Sequence, residues 1–150
     1  MPTSYKLEPH FRKLDRVRTH TGMYVFPETY DGVSAYLMGY DAALEGALLI
    51  GFKEWLVMRL GAGTNLGWTA LIPPLAFPVA KKTWKGPSTQ EENRVAIDKL
   101  FELISEFAAE RGDDEAATKI RDNYEKWYEA LKATCSGPRD TRTATFRKSS

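Results

Sequence analysis

Apolar residues recur at spacings of three and four along most of this chain, and that spacing places them on one face of an α-helix. The first such segment covers residues 33–48, and Asp31 before it is suited to accept hydrogen bonds from the first helical turn. Residues 51–60 fit either a short helix or a strand. Residues 68–75 predict one more buried turn before a proline cluster.

The C-terminal half predicts two long helices, over residues 88–111 and 113–134, each with an apolar stripe. Ser88 and Glu91 have the spacing of a capping box, in which each side chain accepts a hydrogen bond from the other residue's backbone N–H. Gly112 suits a left-handed cap between the helices. Because the connection is short, we expect the two helices to be antiparallel neighbours.

Within this helix pair, we expect Trp127 to be buried with Phe101 as its opposing aromatic ring, and Asp113 to cap the second helix. The whole pattern predicts a mainly α fold, with a single compact domain of four or five helices over residues 1–138. The polar and basic residues 139–150 are expected to form a flexible tail.

Composition excludes several classes of protein. The chain has 150 residues, of which 43% are hydrophobic, so it can form a core and is not wholly disordered. Its formal net charge of +1 is far below that of a nucleic-acid coat protein or a polybasic membrane protein. The single cysteine, Cys135, excludes an intramolecular disulfide and a multi-cysteine zinc site.

Two segments bear on localisation. The N-terminal residues lack the apolar stretch of a secretory signal, so we expect a cytoplasmic protein. Residues 60–80 are uncharged over nearly a membrane-spanning length, but prolines such as Pro73 and Pro74 prevent one continuous helix. We therefore expect no membrane association.

Catalytic and metal-binding chemistry has few candidate residues. The two histidines, His10 and His20, are ten residues apart and belong to no recognisable metal-ligand motif. Asp41 and Glu45 have the i, i+4 spacing that places them on one helical face. A pocket built from these four residues would make the chain a small enzyme, which is one alternative function. In the leading interpretation we expect no catalytic site, no metal and no cofactor.

Nucleic-acid association is a second alternative. Residues 81–85 place three lysines around Trp84, a combination that suits single-stranded nucleic acid. Together with the basic residues 139–150, this cluster would make the chain a nucleic-acid-associated adaptor. Because the predicted helices that follow are acidic, we do not expect nucleic acid to be the main partner, and we expect Trp84 to lie against the protein.

One segment resembles the ATPase domains of type II topoisomerases. Residues 14–25 (Leu-Asp-Arg-Val-Arg-Thr-His-Thr-Gly-Met-Tyr-Val) are similar to a motif near the N-terminus of those domains, and the resemblance extends to Asp41. It then ends, because Ala42 stands where that family has a metal-binding Asn and no Asp-x-Gly-x-Gly motif follows. We therefore do not expect ATP binding.

A different pattern is spread over residues 20–80. Its parts are Gly-Met-Tyr at 22–24, Ala-Tyr-Leu-Met-Gly-Tyr-Asp-x-Ala at 35–43, Gly-Phe-x-x-Trp-Leu at 51–56 and Asn-Leu-Gly-Trp at 65–68. In size, aromatic content and order of segments, the chain is similar to small bacterial proteins of toxin–immunity systems. That resemblance implies a protein that acts by binding another protein.

We therefore interpret the chain as a protein-binding module, specifically an immunity protein that neutralises a toxin by occluding it. The expected interface is acidic and aromatic, and it consists of Tyr30, Asp31, Tyr40, Asp41 and Glu45. Tyrosine offers a large contact area at low entropic cost. The carboxylates are expected to meet a basic partner and to raise the rate of association.

Overall fold

The computed structural model describes residues 6–81, 83–112 and 114–135, and all regular secondary structure in these residues is helical. The helices of this described part follow in chain order as α1 (Glu8–Thr19), α2 (Thr21–Tyr24), α3 (Tyr30–Ala43), α4 (Phe52–Leu60), α5 (Trp68–Ala76), α6 (Gln90–Arg111) and α7 (Asp114–Cys135). The mainly α prediction is confirmed. The predicted number of four or five helices is wrong, because seven are present in the described residues alone.

Two helices that the sequence pattern did not indicate lie near the N-terminus. The first, α1, buries only Leu14 and Val17, and most of its other positions are charged or polar, so its apolar spacing is sparse. Pro9 fits its first turn, because the N–H that proline lacks has no helical acceptor there. The second, α2, is a single turn.

The helix predicted over residues 33–48 is α3, and it begins and ends earlier than predicted. Thr29 rather than Asp31 caps its start, because the Thr29 hydroxyl accepts a hydrogen bond from a backbone N–H of the first turn. The helix ends at Ala43. Glu45 lies in the turn that follows, with a φ of 56°, a left-handed conformation that cannot continue the helix.

The middle of the chain is also helical. Residues 51–60 include α4 and no strand, and this helix lies between Gly51 and Gly61, whose φ angles of 85° and 74° are left-handed. The buried turn expected in residues 68–75 is part of α5, which has nine residues although two prolines lie inside it. Both helices contribute buried side chains to the core.

The predicted long helix after residue 87 is α6, and its N-terminal cap is one residue later than predicted. Thr89 and Glu92, not Ser88 and Glu91, form the capping box. The Glu92 backbone N–H donates to the Thr89 hydroxyl at 3.1 Å, and the Thr89 backbone N–H donates to the Glu92 carboxylate at 3.3 Å. Both pairs of residues have the required spacing, so the sequence pattern alone does not distinguish the two registers.

The last helix, α7, contacts α4 and α6, but the expected pairing of Trp127 with Phe101 is wrong. Phe101 is fully buried and lines the groove between α1 and α6. Trp127 is half-buried, and its ring centroid lies 6.0 Å from that of Tyr124. The physical reason is that α7 packs beside α4, where Ile120 lies against Gly51, whereas Phe101 lies against α1.

Buried apolar side chains from α1 and from α3 through α7 form one cluster. Phe52 and Phe107 are the largest fully buried side chains in it, and their ring centroids are 5.1 Å apart. Within the described ranges, no helix combines the length and the apolar character needed to cross a membrane. The cap expected at Asp113 and the tail expected at residues 139–150 lie outside the described residues.

Candidate functional site

The expected interface residues do not form one surface, and Tyr30 is the clearest departure. Its side chain is only 4% exposed, and its hydroxyl donates a hydrogen bond to the backbone carbonyl of Thr69. Its backbone N–H donates to Oδ1 of Asn93 at 2.8 Å. Burial raises the pKa of the Tyr30 phenol above its ordinary value. Tyr30 therefore joins α3 to α5 and α6 inside the protein.

Asp41 is also engaged within the protein. It is half-buried, and its carboxylate accepts a hydrogen bond from the backbone N–H of Leu49 at 2.9 Å. Glu45 is exposed, but it lies after the end of α3. The helical face that the i, i+4 spacing of these two acids predicted is therefore absent.

Tyr40 lies on the side of α3 that faces α1. Its hydroxyl oxygen and Nδ1 of His10 are joined by a hydrogen bond of 2.7 Å, and the two rings meet edge to face. The Lys13 ammonium lies 5.8 Å from the centroid of the Tyr40 ring. Partial burial raises the pKa of the Tyr40 phenol, and the nearby Tyr36 adds to that rise.

The structure does not bring the two histidines together. His10 lies in the first turn of α1 and His20 directly after its last turn, a separation of about 15 Å at the usual helical rise. His20 is exposed, and its Nδ1 is 2.9 Å from the Thr19 hydroxyl. The described residues contain no group of three or more potential ligands that could hold a metal ion. The two histidines of the enzyme alternative are therefore too far apart to act on the same atom.

The outward face of α3 is exposed and mainly apolar. This face consists of four exposed residues with spacings of four, three and four, which place them on one side of the helix: Asp31, Ala35, Met38 and Ala42. Met38 is 54% exposed, which is high for a large apolar side chain within a helix. Asp31 is the only charged residue on this face, and the exposed Glu45 follows the other end of the helix.

The loop before α3 adds two more exposed apolar side chains. Phe26 is 96% exposed and Met23, in α2, is 78% exposed. This loop lies close against α3, because a Cβ atom at Gly32 would be only 2.6 Å from the backbone carbonyl oxygen of Pro27. A glycine at position 32 therefore allows the segment that carries Phe26 to lie beside the start of α3. We call Met23, Phe26 and the four residues of the outward face of α3 the apolar surface.

A separate cleft lies beside α1. Its volume is about 570 Å³, and it is lined by Pro9, Arg12, Lys13, Arg16 and Tyr24. The four residues from α1 have spacings of three, one and three, so they lie on one helical face. The apolar spacing does not predict this cleft, because it does not predict α1. The i, i+1, i+4 spacing of the three cations is the sequence signal that indicates it.

The lysine cluster of residues 81–85 surrounds a tryptophan that is engaged, as expected, with the rest of the protein. The indole N–H of Trp84 donates to the Glu92 carboxylate at 3.0 Å, and its ring lies 4.8 Å from that of Phe77. This hydrogen bond is the main cause of a lowered pKa for the Glu92 carboxyl. Trp84 is therefore not a free stacking surface, and Lys82 lies outside the described residues.

The chain was compared with families of known proteins, with curated proteins and with solved structures. No family of known proteins, no curated protein and no solved structure matches the chain.

Proposed function

We propose that this chain is a protein-binding module and that the apolar surface is its binding site. The observation that carries the proposal is the exposure of Phe26, Met23 and Met38, at 96%, 78% and 54%. Exposed apolar side chains on adjoining segments mark sites of protein contact, and aromatic residues and methionine are enriched at such sites. Methionine also adapts its shape to a partner.

The charges around the apolar surface indicate the chemistry of the partner. Asp31 lies in the first turn of α3 and Glu45 follows its last turn, so a carboxylate lies near each end of the exposed helical face. Ala35 and Ala42 between them are small and allow a close approach of a partner backbone. These features fit an apolar segment of a partner protein that carries lysine or arginine at its two ends.

We further propose that binding is inhibitory, and that the chain occludes its partner as an immunity protein occludes a toxin. A protein of that kind needs a complementary surface and no catalytic group. The toxin as partner class comes from the sequence resemblance, and the acidic ends of the apolar surface support a basic partner. Tyr30 and Asp41 take no part in this proposed interface, because both are engaged inside the protein.

Affinity capture with matched variants tests the proposal. Wild type, a Phe26→Ser/Met38→Gln variant and a Val79→Ser control are each immobilised and exposed to extract from the native host. Val79 is 94% exposed and lies between α5 and α6, so it matches the exposure of Phe26 outside the apolar surface. We expect one protein to be retained by wild type and the control and lost by the double variant. Equal retention by all three would overturn the proposed site.

A further inference from the structure

A row of aromatic rings lies between α1, α2 and α3, on the side of α3 opposite its outward face. The ring centroids of Tyr24 and Tyr36 are 6.4 Å apart, those of Tyr36 and Tyr40 are 6.1 Å apart, and those of Tyr40 and His10 are 5.7 Å apart. Tyr24 is 38% exposed and the other three are partly exposed. The row is therefore continuous and accessible along its length.

Cations from α1 follow this row. Arg12, Lys13 and Arg16 line the cleft beside Tyr24, and the Lys13 ammonium also lies near the ring of Tyr40. All three side chains are on exposed positions. Arg12 forms an ion pair with Glu8 at 2.8 Å, and both partners are largely exposed, so solvent screens this pair.

We propose that this cleft and the aromatic row beside it bind single-stranded nucleic acid. The phosphates would lie against Arg12, Lys13 and Arg16, and bases would contact the tyrosines of the row. A basic groove beside exposed aromatic rings is the arrangement by which proteins bind single strands without reading their sequence. The binding groove is thus built on α1 and α3, and not on the lysines of residues 81–85.

The spacing of the rings favours a single strand over a duplex. Neighbouring bases in a duplex strand are about 3.4 Å apart along the helix axis. The rings of Tyr24, Tyr36 and Tyr40 are 6.1 to 6.4 Å apart, so successive bases reach successive rings only when the strand is unstacked and extended. A single strand can adopt that conformation, whereas a paired strand cannot.

This inference is independent of the proposed protein-binding function. Tyr36 and Tyr40 are spaced i, i+4 and lie on the α1 side of α3, whereas Asp31, Ala35 and Met38 lie on its outward face. Lys13→Gln/Arg16→Gln in the cleft and Met38→Gln on the outward face therefore act on separate sides of α3, so the two proposals can fail separately even though Tyr24 neighbours Met23 and Phe26 in the chain.

The test measures fluorescence anisotropy of labelled oligothymidylate and oligouridylate, each about 12 nucleotides long, with the full chain at several salt concentrations. If three phosphates are contacted, the logarithm of the binding constant should fall with the logarithm of salt with a slope of about −2. The Lys13→Gln/Arg16→Gln variant should reduce the magnitude of that slope by about 1.4.

The aromatic contribution is tested at the most exposed ring of the row. Tyr24→Ala should weaken binding by about 5- to 100-fold, and Tyr24→Phe, which keeps the ring, should bind like wild type. Two control variants remove similar groups elsewhere in the protein. Lys81→Gln/Lys85→Gln removes lysines from another basic cluster. Tyr128→Ala/Lys132→Gln removes another aromatic ring and the ammonium group that lies over it. Neither control should change binding by more than about twofold, and circular dichroism should show that every variant is folded at the assay temperature.

Four results would overturn the inference. The first is no binding at about 50 mM salt, where phosphate contacts are strong. The second is an equal loss of binding in the control variants. The third is equal affinity for a duplex of the same length, and the fourth is displacement of the oligonucleotide by an equimolar amount of inorganic phosphate.

Discussion

The carboxylate of Asp41 accepts a hydrogen bond from the backbone N–H of Leu49 at 2.9 Å. The adjacent carbonyl, that of Leu48, accepts a hydrogen bond from Nη1 of the buried Arg111 at 2.7 Å. The connection between α3 and α4 is thus held from one side by α3 and from another by the end of α6. The sequence pattern predicts Asp41 as an interface residue. In the structure its carboxylate instead holds the connection between α3 and α4 in place.

Removing the Asp41 carboxylate should destabilise the protein. We expect Asp41→Ala to lower the free energy of unfolding by about 1–3 kcal/mol, because the Leu49 backbone N–H, in a buried residue, loses its acceptor. Glu45→Gln is the matched control: it removes a neighbouring exposed carboxylate and should change the free energy by less than about 0.5 kcal/mol. Urea denaturation measures both values, and similar values for the two variants would show that the Asp41 bond is not structural.

The amide of Asn93 joins α3 to α6, and both of its polar atoms are used. Oδ1 accepts from the Tyr30 backbone N–H at 2.8 Å, and Nδ2 donates to the Thr89 backbone carbonyl at 2.9 Å. Asn93→Ala should lower the free energy of unfolding by about 1–3 kcal/mol. Asn93→Asp keeps the acceptor for Tyr30 but loses the donor to Thr89, so its melting temperature should also fall below that of wild type. Wild-type stability of both variants would contradict this assignment.

Burial of Tyr30 should make stability depend on alkaline pH. Its pKa in the folded protein is raised, so the folded state favours the protonated phenol; this contribution is complete below about pH 10 and is lost as the pH rises above it. Above pH 10, the free energy of unfolding of Tyr30→Phe should therefore fall less steeply with pH than that of wild type. Partial burial also raises the pKa of Tyr36 and Tyr40, so some loss should remain. Parallel curves in urea denaturation above pH 10 would exclude Tyr30 as a source.

Trp127 should matter less to stability than a buried aromatic residue. It is half-buried on α7, and Phe107 is fully buried in the core. We expect Trp127→Ala to lower the free energy of unfolding by about 1–2 kcal/mol, compared with about 3–5 kcal/mol for Phe107→Ala. Thermal and chemical denaturation of the two variants compares them directly. A loss for Trp127→Ala as large as that for Phe107→Ala would show that the indole is buried in solution.

Helical periodicity predicted much of the fold, and its errors have specific causes. The long helix α6 carries buried residues along most of its length, so its apolar stripe indicates it clearly. In α1 only Leu14 and Val17 are buried, which is too few to show a period. The end of α3 was also misplaced, because Leu44 and Leu48 continue the apolar spacing after the backbone has left the helix.

The candidate site was less predictable than the fold. Spacing placed Asp41 and Glu45 on one face, but the early end of α3 separates them. The exposure of Phe26 and Met23 could not be read from sequence, because large apolar residues outside clear helices are equally consistent with a core position. The exposure of these two residues depends on how α1 and α2 pack against the rest of the protein. Such packing involves contacts between residues far apart in the chain, which local sequence patterns do not predict.

The central claim is that the apolar surface binds a partner protein, and the dissociation constant of that complex tests it most directly. The protein retained in affinity capture is purified and titrated against wild type, Phe26→Ser and the control Val79→Ser by calorimetry. As the most exposed aromatic residue of the apolar surface, Phe26 is the expected hot spot, and a hot spot contributes about 2 kcal/mol or more. Phe26→Ser should therefore raise the dissociation constant by about 30-fold or more, and Val79→Ser by less than about twofold. Equal dissociation constants for wild type and Phe26→Ser, with both proteins equally folded, would contradict the account.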